Sequence, residues 1–243
     1  MASTSETGHT KNVSNFETLI TSCAGFGITY DPSNPEILIT ELITLHSVSK
    51  LSLKTVKTTQ APFDDVEGKR KTIFKPLKPL ATKVLGALRG VNAPATVVAD
   101  AETINRKIQG KRADNTSNKT PTGETPKDKI SVSQQSYDLL IDHFEKFIEV
   151  LTIEPKYIPN EVPLKVVTLN SYKTQLDTIN TAVKNIYQPY NLAMIARDKI
   201  LYHPQTGLVE RAQMVKNYVK SIFGATSPEY KQINKLRFKV IAK

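Results

Sequence analysis

Apolar residues recur in the second half of the chain in steps of three and four: Leu169, Tyr172, Leu176, Ile179, Val183, Ile186 and Tyr190. That spacing puts all seven on one stripe of a helix, as in a coiled-coil seam. It predicts a helix from about Pro163 to Tyr202, roughly 60 Å long at 1.5 Å per residue. Pro189 predicts a bend or a break within it, because proline has no amide hydrogen and its ring clashes with the carbonyl of Asn185. The matching stripe in the first half reads Leu42, Leu45, Ser49, Ser52, Val56, Thr59, Phe63 and Val66, with Pro62 as the twin proline. Small hydroxylated residues replace Leu and Ile there. Either this helix packs more closely on its neighbour or its buried face is rotated toward Val48 and Leu51.

Shorter helical faces complete the pattern. Leu140, Phe144, Phe147, Ile148 and Leu151 form one, with Val13 to Ala24 as a weaker counterpart. Leu208, Ala212, Val215, Val219 and Ile222 form another, matched by Leu77, Leu80, Val84, Ala87, Leu88 and Val91. Ser227-Pro228-Glu229 signals a helix start: a capping hydroxyl, proline at the first helical position and a carboxylate at the positive end of the dipole. Asn34-Pro35-Glu36 is expected to open the first long helix in the same way. No alternating run bounded by hairpin turns predicts a strand.

Sliding the chain against itself shows a recurrent offset of 127 residues. Tyr30 meets Tyr157, Pro32 meets Pro159, Leu42 meets Leu169, Val56 meets Val183, Pro62 meets Pro189 and Arg70 meets Arg197. One inserted residue then brings Pro76 to Pro204 and Leu80 to Leu208, and a second brings Ile104-Asn105-Arg106 to Ile233-Asn234-Lys235. The expectation is an all-α, elongated helical bundle built from two tandem pseudo-symmetric repeats with long Pro-kinked helices. Its parts would be a flexible tail over 1–12, repeat 1 over 13–110, a polar linker over 111–131 and repeat 2 over 132–243. The linker expectation rests on Gly110 to Pro126, a stretch without one large apolar residue, which cannot repay its ordering entropy.

Composition narrows the function. A single cysteine in 243 residues cannot form an intramolecular disulfide or a Cys-based metal site, which suits a reducing compartment. The polar first ten residues do not read as a signal peptide, and no run of eighteen apolar residues predicts a membrane span. A cytoplasmic location is expected. Cys23, among Ile20, Ala24 and Phe26, reads as a small buried hydrophobe.

Sites for chemistry are sparse. The di-iron bundle pattern of Glu-x-x-His fails, since Ile43, Leu140 and Ile200 precede His46, His143 and His203 by three residues, and Glu6 with His9 lies in the expected tail. His143 reads as a solvated or half-buried helix residue. Gly25-Phe26-Gly27 has no preceding strand or third glycine and reads as the end of the first helix. Arg70 and Arg197, beside Asp65 and Asp198, suggest pairing across a helix interface rather than a ligand site. No catalytic residue, metal site or cofactor is expected, and the chain reads as non-enzymatic.

The formal charge of +10 is concentrated. Lys69, Arg70, Lys71, Lys75, Lys78, Lys83 and Arg89 form one basic cluster with no acidic residue among them. Lys216, Lys220, Lys231, Lys235, Arg237 and Lys239 form a second, with Lys243 beyond it and Glu229 the only carboxylate within it. Such clusters suit sequence-independent attraction to phosphates or another polyanion, or serve as a solvated face.

Gly8 to Ile20 and Phe223 to Phe238 resemble the two ends of a family of uncharacterised all-helical bacterial proteins, and Gly110-Lys111-Arg112 is similar to its middle. The resemblance implies a helical fold and no activity. The function expected is a structural or self-assembling scaffold acting through its surfaces, as a homo-oligomer or filament. The alternative is a sequence-independent binder of nucleic acid or another polyanion.

Overall fold

The computed structural model describes residues 4–111 and 135–241. Among those residues the chain is an all-α helical bundle with no strand. Its helices are α1 (Thr4–Gly25), α2 (Ile39–Phe74), α3 (Leu77–Gly90), α4 (Ala95–Gln109), α5 (Tyr137–Ile153), α6 (Val166–Tyr202), α7 (Leu208–Phe223) and α8 (Pro228–Asn234). None is long and apolar enough to cross a membrane. Apart from Lys111, the expected linker over 111–131 lies outside the described residues.

The helix starts follow local chemistry. Ser227 caps α8, its hydroxyl accepting from the amide of Tyr230 at 3.1 Å, with Pro228 at the first helical position. Asn34-Pro35-Glu36 behaves differently from expectation. Asn34 accepts from the amide of Glu36 at 3.0 Å, but it caps a 3-10 turn, Pro35–Ile37, and α2 begins only at Ile39. A second 3-10 turn, Val162–Leu164, precedes α6 in the same way, so α6 starts at Val166 rather than Pro163. Helix α1 starts at Thr4, inside the stretch expected as a flexible tail.

At the other end of a helix, Gly110 takes φ +73° and closes α4. Its amide donates to the carbonyl of Lys107 and that of Lys111 donates to Arg106, satisfying two carbonyls the helix leaves open. Pro62 and Pro189 lie inside α2 and α6, and neither helix is divided into two elements there.

The chain forms two compact units. The first comprises Met1–Phe63 and Ile186–Lys243; the second comprises Asp64–Asn185. The first unit buries Phe16, Leu19 and Cys23 of α1 with Leu42 of α2, Leu201 of α6, Leu208, Val215 and Val219 of α7 and Ile233 of α8. In the second, Leu77, Val84 and Leu88 of α3 pack with Ala101 and Ile108 of α4, Phe144 and Phe147 of α5, and Leu169 and Leu176 of α6. Each fully buried Phe or Leu contributes about 1.5–3 kcal/mol relative to exposure. Truncating Phe144 to Ala would therefore remove about 3–5 kcal/mol once the cavity is included.

The serine-rich stripe of α2 is the buried one. Ser49 and Ser52 are buried, whereas Val48 and Leu51 are exposed. The hydroxyls are satisfied within the helix: Ser49 donates to the carbonyl of Leu45 and Ser52 to that of Ser49, each at 2.7 Å. This back-bonding lets small polar side chains face the interior without an unpaired donor.

Helices α3 and α7 bury residues at the same spacing. Helix α3 buries Leu77, Ala81, Val84 and Leu88, and α7 buries Leu208, Ala212, Val215 and Val219. The two sets share one spacing when Leu77 is set against Leu208, an offset of 131 residues, whereas the prolines had suggested Leu80 against Leu208. Proline identity marks the loops, and the loop entering α7 is longer than the one entering α3.

Candidate anion-binding surfaces

In the second unit, most of the first basic cluster is already paired. Lys69 reaches Asp65 and Lys71 reaches Glu67, each at 2.7 Å and one helical turn away, and Arg89 reaches Glu102 at 2.8 Å. Glu67 holds Lys71 above its usual value through that hydrogen bond. The run from Lys69 to Arg89 contains no acid, yet its partners stand just before it on α2 and across on α4. Lys78 is half-buried and donates to Gln135 at 2.8 Å. Lys75 and Lys83 are exposed and belong to none of these ion pairs.

Arg70 is held by its neighbours. Its guanidinium lies 4.0 Å from the centre of the Tyr137 ring and donates to Asn180 at 3.1 Å. Asn180 in turn donates to Asp138 at 2.9 Å, and Lys184 donates to the same carboxylate oxygen. The Lys184 hydrogen bond keeps Asp138 below the usual carboxylate range. Arg197 is fully buried in the first unit and donates to Asp198 at 2.9 Å.

His143 is buried, not solvated. Burial first, then the charge of Lys107, lowers its pKa, although Asp142 lies 3.7 Å away and acts in the opposite direction. His9, expected in a mobile tail, is likewise buried and hydrogen-bonds the Tyr202 hydroxyl through Nδ1. Among the described residues no three His, Cys, Asp or Glu side chains converge as metal ligands would.

The second cluster, in the first unit, is organised around the segment that follows α8. Lys216 is buried, and its ammonium donates to the carbonyl of Leu236 at 2.6 Å while lying 5.3 Å from the centre of the Phe238 ring. Burial, with repulsion from Arg237 second, pushes its pKa down. It serves as a tie, not as a surface charge. Lys220 lies 6.0 Å from the ring of Tyr230. Lys231, Lys235, Arg237 and Lys239 are exposed, and none forms an ion pair with a described carboxylate.

Two asparagines of α1 fix the backbone between these cations. Asn12 donates to the carbonyl of Lys239 at 2.7 Å and accepts from its amide at 3.1 Å, and Asn15 donates to the carbonyl of Arg237 at 2.7 Å. Phe238 turns the other way and meets Phe16 edge-on at 6.5 Å. That alternation is the period of two expected of extended chain. Arg237 and Lys239 consequently share one side with Lys11, and the three line a hollow of about 470 Å³.

A further basic row escaped the sequence reading. Lys50, Lys54 and Lys57 of α2 line a hollow of about 690 Å³ against Thr10, Ser14 and Glu17 of α1. Their spacing of four and three residues is the signal that places them on one helical face. Counting charges in linear runs hid it, because apolar and hydroxylated residues separate the lysines. Lys11 was hidden for another reason: its companions lie at the opposite end of the chain.

No protein-family model, curated protein or solved structure matches this chain.

Proposed function

We propose that this chain is a non-enzymatic helical scaffold, built by tandem duplication, that acts through its surfaces and self-associates. The observation that supports self-association is a run of exposed apolar side chains from the end of α5 through the connection to the start of α6. Ile153, Ile158, Val162 and Val167 are 76%, 79%, 64% and 70% exposed within fifteen residues. A soluble surface rarely leaves so many large aliphatic groups together in water without a partner to cover them.

Duplication is supported by recurrent detail at the offset of 127. The Tyr30 hydroxyl donates to the carbonyl of Ile37, and the Tyr157 hydroxyl donates to that of Leu164, seven residues on in both cases. The 3-10 turns Pro35–Ile37 and Val162–Leu164, the buried pair Leu42 and Leu169, and the in-helix prolines follow the same offset. Two related faces on one chain suit closed or open assembly.

Sedimentation at increasing protein concentration tests the reading. The expected result is concentration-dependent growth that Ile153→Lys combined with Ile158→Lys reduces. A monomer throughout the micromolar range, indifferent to these changes, would overturn it.

A second reading, sequence-independent polyanion binding, is favoured by one observation. The exposed cations of the second cluster form no ion pair with described carboxylates, unlike Lys69, Lys71 and Arg89 of the first. Titration of duplex DNA across a salt series tests it, because phosphate binding weakens steeply as salt rises.

A further inference from the structure

We propose that the hollow between α1 and the segment after α8 is a phosphate-binding site, in which Lys11, Arg237 and Lys239 hold the oxyanion. This deepens the polyanion reading and rests on it.

Three cations from two distant stretches of sequence converge here, and among the described residues the lining contains no carboxylate: Thr7, Gly8, Lys11, Asn12, Arg237, Lys239 and Ile241 surround the space. None of the three takes part in an ion pair among the described residues. Like charges gather at a cost, and the neighbouring buried Lys216 is pushed down by burial first and by the charge of Arg237 second. A bound anion relieves that repulsion. Arg237 supplies a planar fork matched to two phosphate oxygens, while the lysines supply movable point charges.

The site is positioned and not a chance meeting of long side chains. Asn12 spends both ends of its amide on the backbone of Lys239, and Asn15 holds the carbonyl of Arg237, so these two act as positioning residues. Lys216 clamps the carbonyl of Leu236 just upstream. With the backbone fixed at these points, the side chains of Arg237 and Lys239 emerge on the same side as Lys11. Ile241 walls the hollow with apolar surface, which lowers the local dielectric and strengthens the charge interactions.

The ligand chemistry is a phosphate or polyphosphate group, whether free or part of a nucleic-acid backbone. Binding of inorganic pyrophosphate and of duplex DNA to the full chain at low salt is measured by calorimetry and fluorescence anisotropy. The test variant combines Lys11→Gln, Arg237→Gln and Lys239→Gln. The control combines Lys75→Gln, Lys83→Gln and Lys165→Gln, which removes equal charge from exposed positions elsewhere. All six side chains are exposed, and circular dichroism verifies that both variants keep the helical fold.

One pyrophosphate per chain is expected, weakened about tenfold or more by the test variant and no more than about twofold by the control. Pyrophosphate binding without DNA binding supports the site and assigns it a free ligand, while rejecting the nucleic-acid form of the polyanion reading. Binding of both, lost together in the test variant, supports the site with a backbone ligand. DNA binding that both variants weaken equally overturns the site and leaves the polyanion reading standing. Absence of binding to either probe overturns both.

Discussion

The hydroxyl of Tyr30 donates to the carbonyl of Ile37 at 2.7 Å, closing the loop between α1 and α2 over a buried acceptor. Tyr157 makes the same bond to Leu164 at 2.9 Å, in a less buried setting. Replacing Tyr30 by Phe strands the Ile37 carbonyl and is expected to cost about 2 kcal/mol, whereas Tyr157→Phe costs about 1 kcal/mol. Urea unfolding checks both. Effects should add in the double variant, because the two sites share no partner. An effect near zero for Tyr30→Phe would deny the bond its role.

Asn180 links Arg70 to Asp138 in the second unit and is buried at 3% exposure. Asn180→Ala removes a donor and an acceptor at once and is expected to cost about 1–3 kcal/mol. A double-mutant cycle with Arg70→Met should return a coupling of about 1 kcal/mol, since either single variant breaks the same Arg70–Asn180 hydrogen bond. Simple additivity would show that the stacking on Tyr137 holds Arg70 by itself.

Two glycines separate backbone need from helix cost. Gly86 lies mid-helix in α3 with nothing within 4 Å of an added Cβ, so Gly86→Ala is expected to stabilise by about 0.5–1 kcal/mol. A Cβ at Gly207 would come within 2.6 Å of the His203 amide nitrogen and 2.7 Å of its carbonyl oxygen. Backbone atoms cannot swing aside as a side-chain end does, so Gly207→Ala should lower the melting temperature while Gly86→Ala raises it. Equal shifts of one sign would contradict the geometry.

Alkaline pH should weaken the fold, beginning with Cys23. Burial pushes the Cys23 thiol from 9.0 up to about 12, with the Tyr30 hydrogen bond opposing in part. The folded chain then keeps a proton that the unfolded chain releases above about pH 9. Stability from this group is complete below that value and falls as pH rises toward 12, by about 1.4 kcal/mol per pH unit. Burial of Tyr172, raised from 10.0 to about 12, adds to the slope above pH 10. Urea titrations on either side of pH 9 check this, and Cys23→Ala should flatten the first part of the fall. An unchanged slope in that variant would remove Cys23 as its source.

Much of the helix plan was legible because periodicity reports burial directly. Leu140, Phe144, Phe147, Ile148 and Leu151 are all buried as their spacing predicted, and so are Leu169, Leu176 and Val183. The serine stripe of α2 was ambiguous for a physical reason: a hydroxyl is equally content facing water or bonding back to its own helix. Pairing of Arg89 was not legible, since Glu102 acts on it from another helix, whereas Asp65 and Glu67 stand one helical turn before Lys69 and Lys71. The hollow at Lys11 was less so, because Asn12 and Asn15 reach residues more than two hundred positions away. Asparagines on an amphipathic helix carry no mark distinguishing a backbone tie from a solvated side chain.

The first unit contains residues 1–63 and 186–243, while the second is one continuous stretch from 64 to 185. During synthesis the second unit is therefore complete while α1 and the start of α2 still lack α7 and α8. Phe16, Leu19 and Leu42 must stay in water or on a chaperone until the last helices emerge. The expected order of events is the continuous second unit first and the first unit last, so residues 1–63 are made before residues 64–185 and buried after them.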